Sequence, residues 1–553
     1  MRSRLIASFI LVLALLAAAC GGDDAAEPDP APAAAEPEET GAPDPEETAA
    51  VEPEATEPAE EVSTTLRLAF PTDMDPPDPD TNYQLHGNQV TEALYEGLLR
   101  YSSNNTNEIV GLLAESWEVA DDGMTYTFTL REGLTFADGS PLDSETLKFG
   151  FERRFAEPVF APSAYMLLPV DRYETPDPQT FIIHMAYPES AFLTYLASPF
   201  SPKAVNPALV AANEVDGDWG VEWMKTNSAG TGPYVIEEFT LGQRYVLARN
   251  ENYWGEKPFY ERVEIRIIPD AVTQVLQLEG GDLDIITGQP IATVRTFEDR
   301  DGFQVVGFPM LQKAWIHLNP NVPPTDDPDF RIALRAAIDR PRLVEQIWGE
   351  YAQESTQLYP VTSIEENLGL DVWEHDPSLL EAVSEGKSVT LAYPADRAAD
   401  SQVAEALQAQ WAAAGLDVVL VPTPDADLGS WQGNVTEAPN MYYEVSFPDS
   451  THPDTWARLF WYYDWESFFG GFLNYFVAGS PASDDAMNTG LGAVDQATQD
   501  EAYDFSAAEI TDTAHYITIS DPQDVFIARD GITGFAHWLA TPATLDLAAL
   551  RPG

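Results

Sequence analysis

The residue types that commonly carry chemistry are scattered along the chain and match no familiar catalytic pattern. The sequence contains no HExxH zinc motif, no Walker phosphate loop and no GxSxG nucleophile motif. No two histidines have the i, i+3 or i, i+4 spacing with which a helix presents metal ligands. The seven are His86, His184, His317, His375, His452, His515 and His537. We therefore expect no catalytic residue, no bound metal and no cofactor, which favours a binding function.

A glycine pair, Gly230-Thr231-Gly232, is the one segment that resembles a nucleotide-binding turn. Pro233 follows it directly, and a strand pattern comes next. A dinucleotide fingerprint instead needs a helix whose N-terminus meets the phosphates. The sequence therefore disfavours a nucleotide site here.

Acidic residues in the loop 71–80 raise the question of calcium. Asp73, Asp75, Asp78 and Asp80 lie close together. The spacing of an EF-hand and its distal glutamate are missing, so a plain loop is favoured.

Cys20, the only cysteine, ends a targeting segment. A basic start, an apolar run over 5–16 and small residues up to Ala19 precede it, as in a secretory signal. The segment resembles a bacterial lipobox, which predicts a lipoprotein signal peptide over 1–20 and lipidation of Cys20. Ala17 stands where that pattern prefers Leu, so ordinary cleavage after Ala19 with free secretion stays the alternative.

Residues 21–63 are rich in Ala, Pro and acids, and 15 acidic residues fall between Asp23 and Glu61. Aromatic and basic residues are absent from this stretch. It cannot bury enough apolar surface to fold, and like charges extend it further. We expect a disordered tether.

The net charge is −63, from 28 basic and 91 acidic residues, and about −50 of it belongs to the part after the tether. Nucleic-acid binding needs basic patches, so a nucleic-acid partner is disfavoured. A high-salt habitat and a cationic ligand are two open explanations of the acidity.

The remaining chain is too long for one hydrophobic core and alternates strand and helix patterns. Strands are predicted at 65–70, 125–130, 180–185, 234–239, 245–249, 263–268, 283–286, 389–393 and 417–421. Helices are predicted from Ser140-Pro141 through Phe155, from Asp270 to Gly280, and over 403–414 with Gly415 at the C-terminus. Asp122-Gly123 predicts a hairpin turn. This order indicates a mixed α/β protein.

Several ordered segments together resemble the family 5 extracellular solute-binding proteins. They are YEGLL at 95–99, GLLAESWEV at 111–119, DDGMTYTFTLREG at 121–133, FADGSPL at 136–142, GTGPY at 230–234, NENYWG at 250–255 and FRIALRAAIDR at 330–340. The resemblance spans about 65–550. Most of these residues have structural reasons to exist, so they indicate the fold and do not themselves mark the ligand site.

The resemblance implies an α/β, periplasmic-binding-protein-like type II fold with two lobes, a hinge and a small inserted domain. Lobe I would comprise 64–105, 225–300 and 518–553. The inserted subdomain would be 106–224, and lobe II would be 301–517. Hinge strands would cross near 300 and 518, and the ligand would lie in the interlobe cleft.

Peptide-binding relatives carry an anchoring Asp in a segment of the form Ala-Asp-Tyr-Pro-Asp-Pro, and Ser446 stands at that position. A hydroxyl does not supply the charge-assisted bond that an ammonium needs. Glu444, on the same strand face, and Asp449 are two candidate replacements. Further solute-binding candidates, from loops and strands that face the cleft in relatives, are Tyr83, His86, Trp315, His317 and Tyr443.

The resemblance further implies a monomeric, lipid-anchored receptor on the outer face of the cell membrane. It would capture a small solute and deliver it to an ABC permease and ATPase. A peptide-like solute is the leading expectation, and an oligosaccharide or metal chelate is the alternative. A lipid-anchored secreted hydrolase, or a binding protein used for sensing or adhesion, are other classes.

Overall fold

The structure is a computed structural model that describes residues 63–553, except 84, 104, 160, 361–367, 396–397, 465–470, 472 and 539. The predicted signal peptide, lipidation site Cys20 and tether lie outside the described residues. Ser63–Gly553 pack as one unit.

The first large sheet has seven strands in the order β12-β19-β11-β1-β10-β9-β8. In chain order these are β1 (Thr65–Phe70), β8 (Tyr234–Thr240), β9 (Arg244–Arg249), β10 (Arg262–Ile267), β11 (Ile285–Thr287), β12 (Phe303–Phe308) and β19 (Asp524–Arg529). β1 is central and runs parallel to both neighbours, β10 and β11. In β1 the residues Leu66, Leu68, Ala69 and Phe70 are buried, whereas Thr65 and Arg67 are half-buried.

The second large sheet has six strands in the order β14-β18-β13-β17-β15-β16. These are β13 (Lys313–Leu318), β14 (Ala352–Glu354), β15 (Ser388–Pro394), β16 (Asp417–Thr423), β17 (Met441–Ser446) and β18 (Tyr516–Pro522). The β15–β16 and β15–β17 pairs are parallel. All six residues of β13 are buried, since packed elements cover both faces.

A smaller antiparallel sheet, β4-β5-β7-β6, is built from β4 (Ala114–Val119), β5 (Thr125–Leu130), β6 (Val170–Asp177) and β7 (Thr180–Met185). In β5, Tyr126, Phe128 and Leu130 point into the core, as the alternation predicts. The β4–β5 turn holds Gly123 at φ +68°, which confirms the predicted hairpin. Two short pairs complete the strands: β2 (Leu99–Ser102) with β3 (Asn105–Gly111), and β20 (Ile532–Thr533) with β21 (Arg551–Pro552).

The helices surround these sheets. They are α1 (Leu85–Leu94), α2 (Ser144–Arg153), α3 (Phe192–Ala197), α4 (Pro207–Asn213), α5 (Val221–Met224), α6 (Ala271–Gly280), α7 (Ile291–Val294), α8 (Pro328–Ala336), α9 (Arg340–Ile347), α10 (Pro377–Glu381), α11 (Ala398–Ala413), α12 (Asp425–Leu428), α13 (Pro453–Trp461), α14 (Pro481–Gly492) and α15 (Gln496–Asp512). Short 3₁₀ turns occur at Pro162–Leu167, Gly349–Tyr351 and Gln432–Asn434. Part of the acidity is structural, because Asp side chains cap α2, α6, α8, α9, α10 and α15.

One helix boundary differs from the prediction. The helix expected to open at Ser140-Pro141 begins at Ser144, where Asp143 and Thr146 form a capping box. Pro141 is instead held in a β-bridge with Thr135. The helix ends at Arg153, so Phe155, the predicted end, lies beyond it and is exposed.

The chain passes between the two large sheets twice. β12 leads into β13 through 309–312, and β18 leads into β19 through residue 523. Both crossings lie a few residues beyond the positions near 300 and 518 that we expected. The division into lobes and an inserted subdomain stays a prediction.

The loop 71–80 is held by buried ion pairs. Arg153 donates to Asp78 Oδ1 and Oδ2 at 2.8 and 2.6 Å and to Asp80 Oδ2 at 2.6 Å. Arg154 Nε lies 3.0 Å from Asp80 Oδ1. The carboxylates that raised the question of calcium thus pair with guanidinium groups. Throughout the described ranges, no cluster of three or more His, Cys, Asp or Glu could hold a metal ion.

The helices are too short or too polar to cross a bilayer. This holds for every helix within 63–553, outside the gaps given above.

Candidate solute-binding site

A partly enclosed cavity of about 330 Å³ lies between the region around the small sheet and helices α13 and α14. Aromatic and aliphatic side chains form most of its wall. Its lining residues are Tyr165, Leu168, Pro169, Tyr187, Pro188, Glu189, Tyr195, Asp454, Thr455, Arg458, Leu459, Tyr462, Asn488, Leu491 and Gly492. Apolar walls with a few polar groups are typical of small-molecule sites.

Two short segments position the polar groups. After β7 the chain turns through 186–190 and enters α3, which brings Glu189 and Tyr195 to one side of the cavity. On the other side, α13 presents Asp454 and Arg458, which are one helical turn apart and therefore share a face. Ser190 N donates to Leu491 O at 2.8 Å, which joins the two sides.

Asp454 and Arg458 form a bidentate pair. Arg458 Nε and Nη2 donate to the Asp454 carboxylate at 2.7 and 2.9 Å. Tyr503 Oη donates to the same carboxylate at 3.0 Å. Fork-to-fork geometry of this kind is strong and directional. The charge of Arg458 is therefore largely matched within its own helix.

Glu189 is the remaining carboxylate of the cavity and is only 6% exposed. Burial raises its pKa to about 8, and the nearby charge of Asp454 adds to the rise. The Arg458 charge and the Tyr195 hydroxyl partly oppose the rise. At neutral pH the group is therefore mostly protonated when the cavity holds no cation.

His452 links the two sides behind the cavity. Its Nδ1 accepts the Asp454 amide at 3.2 Å and caps α13. Nε2 must then carry the proton and donates to Ser190 Oγ at 3.2 Å. Burial lowers the pKa of His452 to about 4, so it stays neutral over the physiological range.

None of the eight predicted solute-binding residues lines this cavity, but two of them meet nearby. Tyr83 and Tyr165 donate to the same oxygen of Asp449, at 2.5 and 2.6 Å. Burial raises the pKa of Asp449, while the two hydroxyls oppose the rise. Ser198 Oγ also donates to the Asp449 carbonyl at 2.5 Å. This residue therefore joins three distant stretches of chain.

Four other predicted residues share one face of the six-stranded sheet. Trp315 Nε1 donates to Ser446 Oγ at 3.0 Å, so the hydroxyl at the anchor position already serves the indole. His317 Nε2 lies 2.9 Å from Glu444 Oε1. Trp315 also packs against Trp456, Phe460 and Tyr516. These four predicted residues therefore make their contacts with other side chains on this sheet face.

Tyr443 and His86 lie elsewhere. Tyr443 is on the opposite face of β17, in the core with Ile316 and Leu391. Alternation along the strand separates it from Glu444. His86 is near the end of β1, where Nδ1 lies 2.8 Å from Thr72 Oγ1. Sequence proximity to the anchor segment does not bring Tyr443 to the group formed by its neighbours.

Sequence reasoning missed Glu189, Tyr195 and Arg458. The i, i+4 pair of Asp454 and Arg458 was a usable signal, because it follows the anchor segment directly. Glu189 gave only a weak signal, an acid between aromatic and apolar residues. No local pattern predicts that these two segments face each other.

Both sides of the cavity fall within a known protein family. The sequence profile described as Bacterial extracellular solute-binding proteins, family 5 Middle, matches residues 108–468, more than half of the chain. The match includes the lining residues from Tyr165 to Tyr462.

Curated relatives are also similar in sequence to this chain. A probable D,D-dipeptide-binding periplasmic protein of Escherichia coli K12 is 30% identical over 262 residues, or 47% of this chain and 50% of the relative. A nickel-binding periplasmic protein of the same strain is 26% identical over 394 residues, or 67% of this chain and 72% of the relative. The chain thus aligns with half the length of the first and nearly three quarters of the second.

Solved structures confirm the predicted α/β periplasmic-binding fold. The periplasmic binding protein DppA from Helicobacter pylori, in complex with the peptide STSA, superposes with a TM-score of 0.73 at 22% identity over 88% of this chain and 98% of that one. NikA from Brucella suis, in complex with Fe(III)-EDTA, gives 0.76 at 21% identity over 88% of this chain and all of that one. At such identities the likeness concerns the fold alone.

Proposed function

Since the chain belongs to the bacterial extracellular solute-binding proteins of family 5, we propose that it captures a small organic solute outside the cytoplasm and delivers it to the permease and ATPase of an ABC importer. The cavity between the small-sheet region and α13–α14 carries this proposal. It combines apolar walls with three ionisable groups, Glu189, Asp454 and Arg458. The protein acts as a receptor and not as a catalyst, in keeping with relatives that are named as binding proteins.

The size of the cavity limits the solute. About 330 Å³ is at the lower end of the range for small-molecule pockets. A solute of dipeptide size or smaller therefore fits better than a long oligopeptide. The peptide-like class remains our leading proposal, with a metal chelate or oligosaccharide as the alternative.

We further propose that the solute is captured by closure of the two predicted lobes. In this proposal lobe I (64–105, 225–300, 518–553) and the inserted subdomain (106–224) close on lobe II (301–517) through a hinge. Asp449, which binds Tyr83 and Tyr165, would be a closing contact. The eight residues proposed from the sequence as solute contacts stay a prediction, to be tested in a liganded structure.

Native mass spectrometry of the full chain, purified from cells grown in rich medium, tests the proposal. We expect a retained small solute that is released on denaturation. Leu491→Trp would fill the cavity and abolish retention, whereas Leu379→Trp, on an exposed helical position that does not line it, would not. The proposal fails if no solute is retained and no dipeptide, sugar or metal chelate raises the melting temperature.

Anchoring through Cys20 is a separate part of the proposal. It would hold a monomeric receptor on the outer face of the membrane. Cys20→Ala should shift the protein from the membrane fraction to the medium. Equal partition of wild type and variant would instead indicate ordinary secretion.

A further inference from the structure

Glu189 differs from the buried acids of the loop 71–80. It lies in the turn between β7 and α3, nine-tenths buried, and lines the cavity. In the described part of the chain, no Lys, Arg or His comes within ion-pair distance of its carboxylate. The buried acids of the loop 71–80, by contrast, contact two guanidinium groups.

The groups around Glu189 do not supply a matching cation. Arg458 is paired with Asp454, whose own charge acts against ionisation of Glu189. Tyr195 and Tyr126 face it as neutral phenols, and burial raises the pKa of both. His452, behind Ser190, is neutral. With Glu189 ionised, the charged groups of the cavity therefore sum to one negative charge.

The rest of the wall suits an apolar body. Leu168, Pro169, Leu459 and Leu491 contribute aliphatic surface. Tyr165 and Tyr195 contribute ring faces, set edge-on to each other with centroids 5.9 Å apart. Aromatic faces attract ammonium groups, and a buried carboxylate attracts them more strongly. Anionic solutes would meet the excess negative charge.

We propose, building on the proposed function, that the cavity selects its solute through an ammonium group: a protonated amine on an apolar body, with its ammonium group against the Glu189 carboxylate. This moves cation recognition away from the Ser446 position and onto the turn that precedes α3. Because Glu189 is mostly protonated without ligand, binding releases a proton: the carboxylic acid loses it to solvent and the ammonium pairs with the carboxylate that forms.

Two isosteric probes test this, 2-phenylethylamine and 2-phenylethanol, measured by isothermal titration calorimetry at pH 7. An alkyl ammonium stays charged to about pH 10, as the side chain of Lys does. Wild type should bind the amine at least about tenfold more tightly than the alcohol, as a charge-assisted bond implies. Glu189→Gln should bring the two affinities within about threefold. Glu385→Gln, at an exposed acid outside the cavity, should leave the preference intact.

A pH series on wild type gives a second readout that needs no variant. Affinity for the amine should rise about tenfold per pH unit between pH 6 and 7.5 and level off above pH 8, with about one proton released at pH 7. Burial raises the pKa of Tyr195 and of Tyr126 above this window and lowers that of His452 to about 4, below it.

The inference is overturned if 20 mM amine does not bind, if both probes bind equally, or if Glu189→Gln weakens both alike. A solute without an ammonium group retained in native mass spectrometry would also overturn it, while leaving the receptor function in place. Failure to retain or bind any solute would instead contradict the function itself.

Discussion

Two buried clusters of ionisable side chains in this protein differ in the balance of acids and bases. The first, which we call the paired cluster, joins Asp78 and Asp80 to Arg153 and Arg154, two acids to two bases. The second, in the cavity, holds Glu189 and Asp454 with only Arg458. In the paired cluster each acid has a basic partner within the protein, and these ion pairs fix the loop 71–80 against α2. In the cavity one acid lacks a basic partner, and a cationic ligand can supply it.

The difference follows from burial energetics. Taking a charge out of water costs several kcal/mol unless a partner and hydrogen bonds compensate. In the paired cluster, Arg153 donates to both acids and to the Trp219 carbonyl, so its donors are used within the fold. In the cavity, Glu189 avoids the cost by keeping its proton. One site is built for stability, whereas the other gives up stability for recognition.

The largest effect should come from breaking the paired cluster. Arg153→Met would leave Asp78 and Asp80 with one cation between them in a fully buried site. We expect a loss of about 4 kcal/mol in the free energy of unfolding, read as a large fall in melting temperature. Arg172→Met, at an exposed pair, should change it by less than about 0.5 kcal/mol. A small effect at Arg153 would show that water reaches the cluster and would remove the contrast.

A substitution in the cavity should change the free energy of unfolding in the opposite direction. The folded pKa of Glu189 is about 8, against an ordinary value of 4.5. Between these values the unfolded chain loses the proton that the folded chain keeps, so this group destabilises the fold increasingly as pH rises through the window.

Glu189→Gln removes that penalty, because a neutral amide of similar size replaces the acid. Without ligand, the variant should be more stable than wild type by about 4 kcal/mol at pH 8 and by about 1 kcal/mol at pH 5.5. Thermal unfolding at both pH values measures it. A variant less stable than wild type at both would mean that Glu189 has a structural partner, and the two clusters would then be alike.

Local patterns predicted the framework well. The strands at 65–70, 125–130 and 180–185 have the predicted bounds, because alternation and turn residues encode them locally. Asp270 and Gly281 cap α6 as the sequence indicates, the glycine at φ +82°. The ordered motifs were also sufficient by themselves to identify the family. Cys20 and the tether were predicted as well, but they lie outside the described residues.

The candidate site depends on contacts between residues that are far apart in the sequence, and local patterns do not predict such contacts. Of the predicted residues, Tyr83 and Asp449 come together although 366 positions separate them, while Tyr443 and Glu444, adjacent in the chain, lie on opposite faces of β17. Glu189 meets α13 only through tertiary packing. Composition and periodicity determined the elements, and the ordered motifs determined the family. The tertiary structure decided which buried carboxylates are paired with a base and which are not, since pairing depends on proximity in space and on burial.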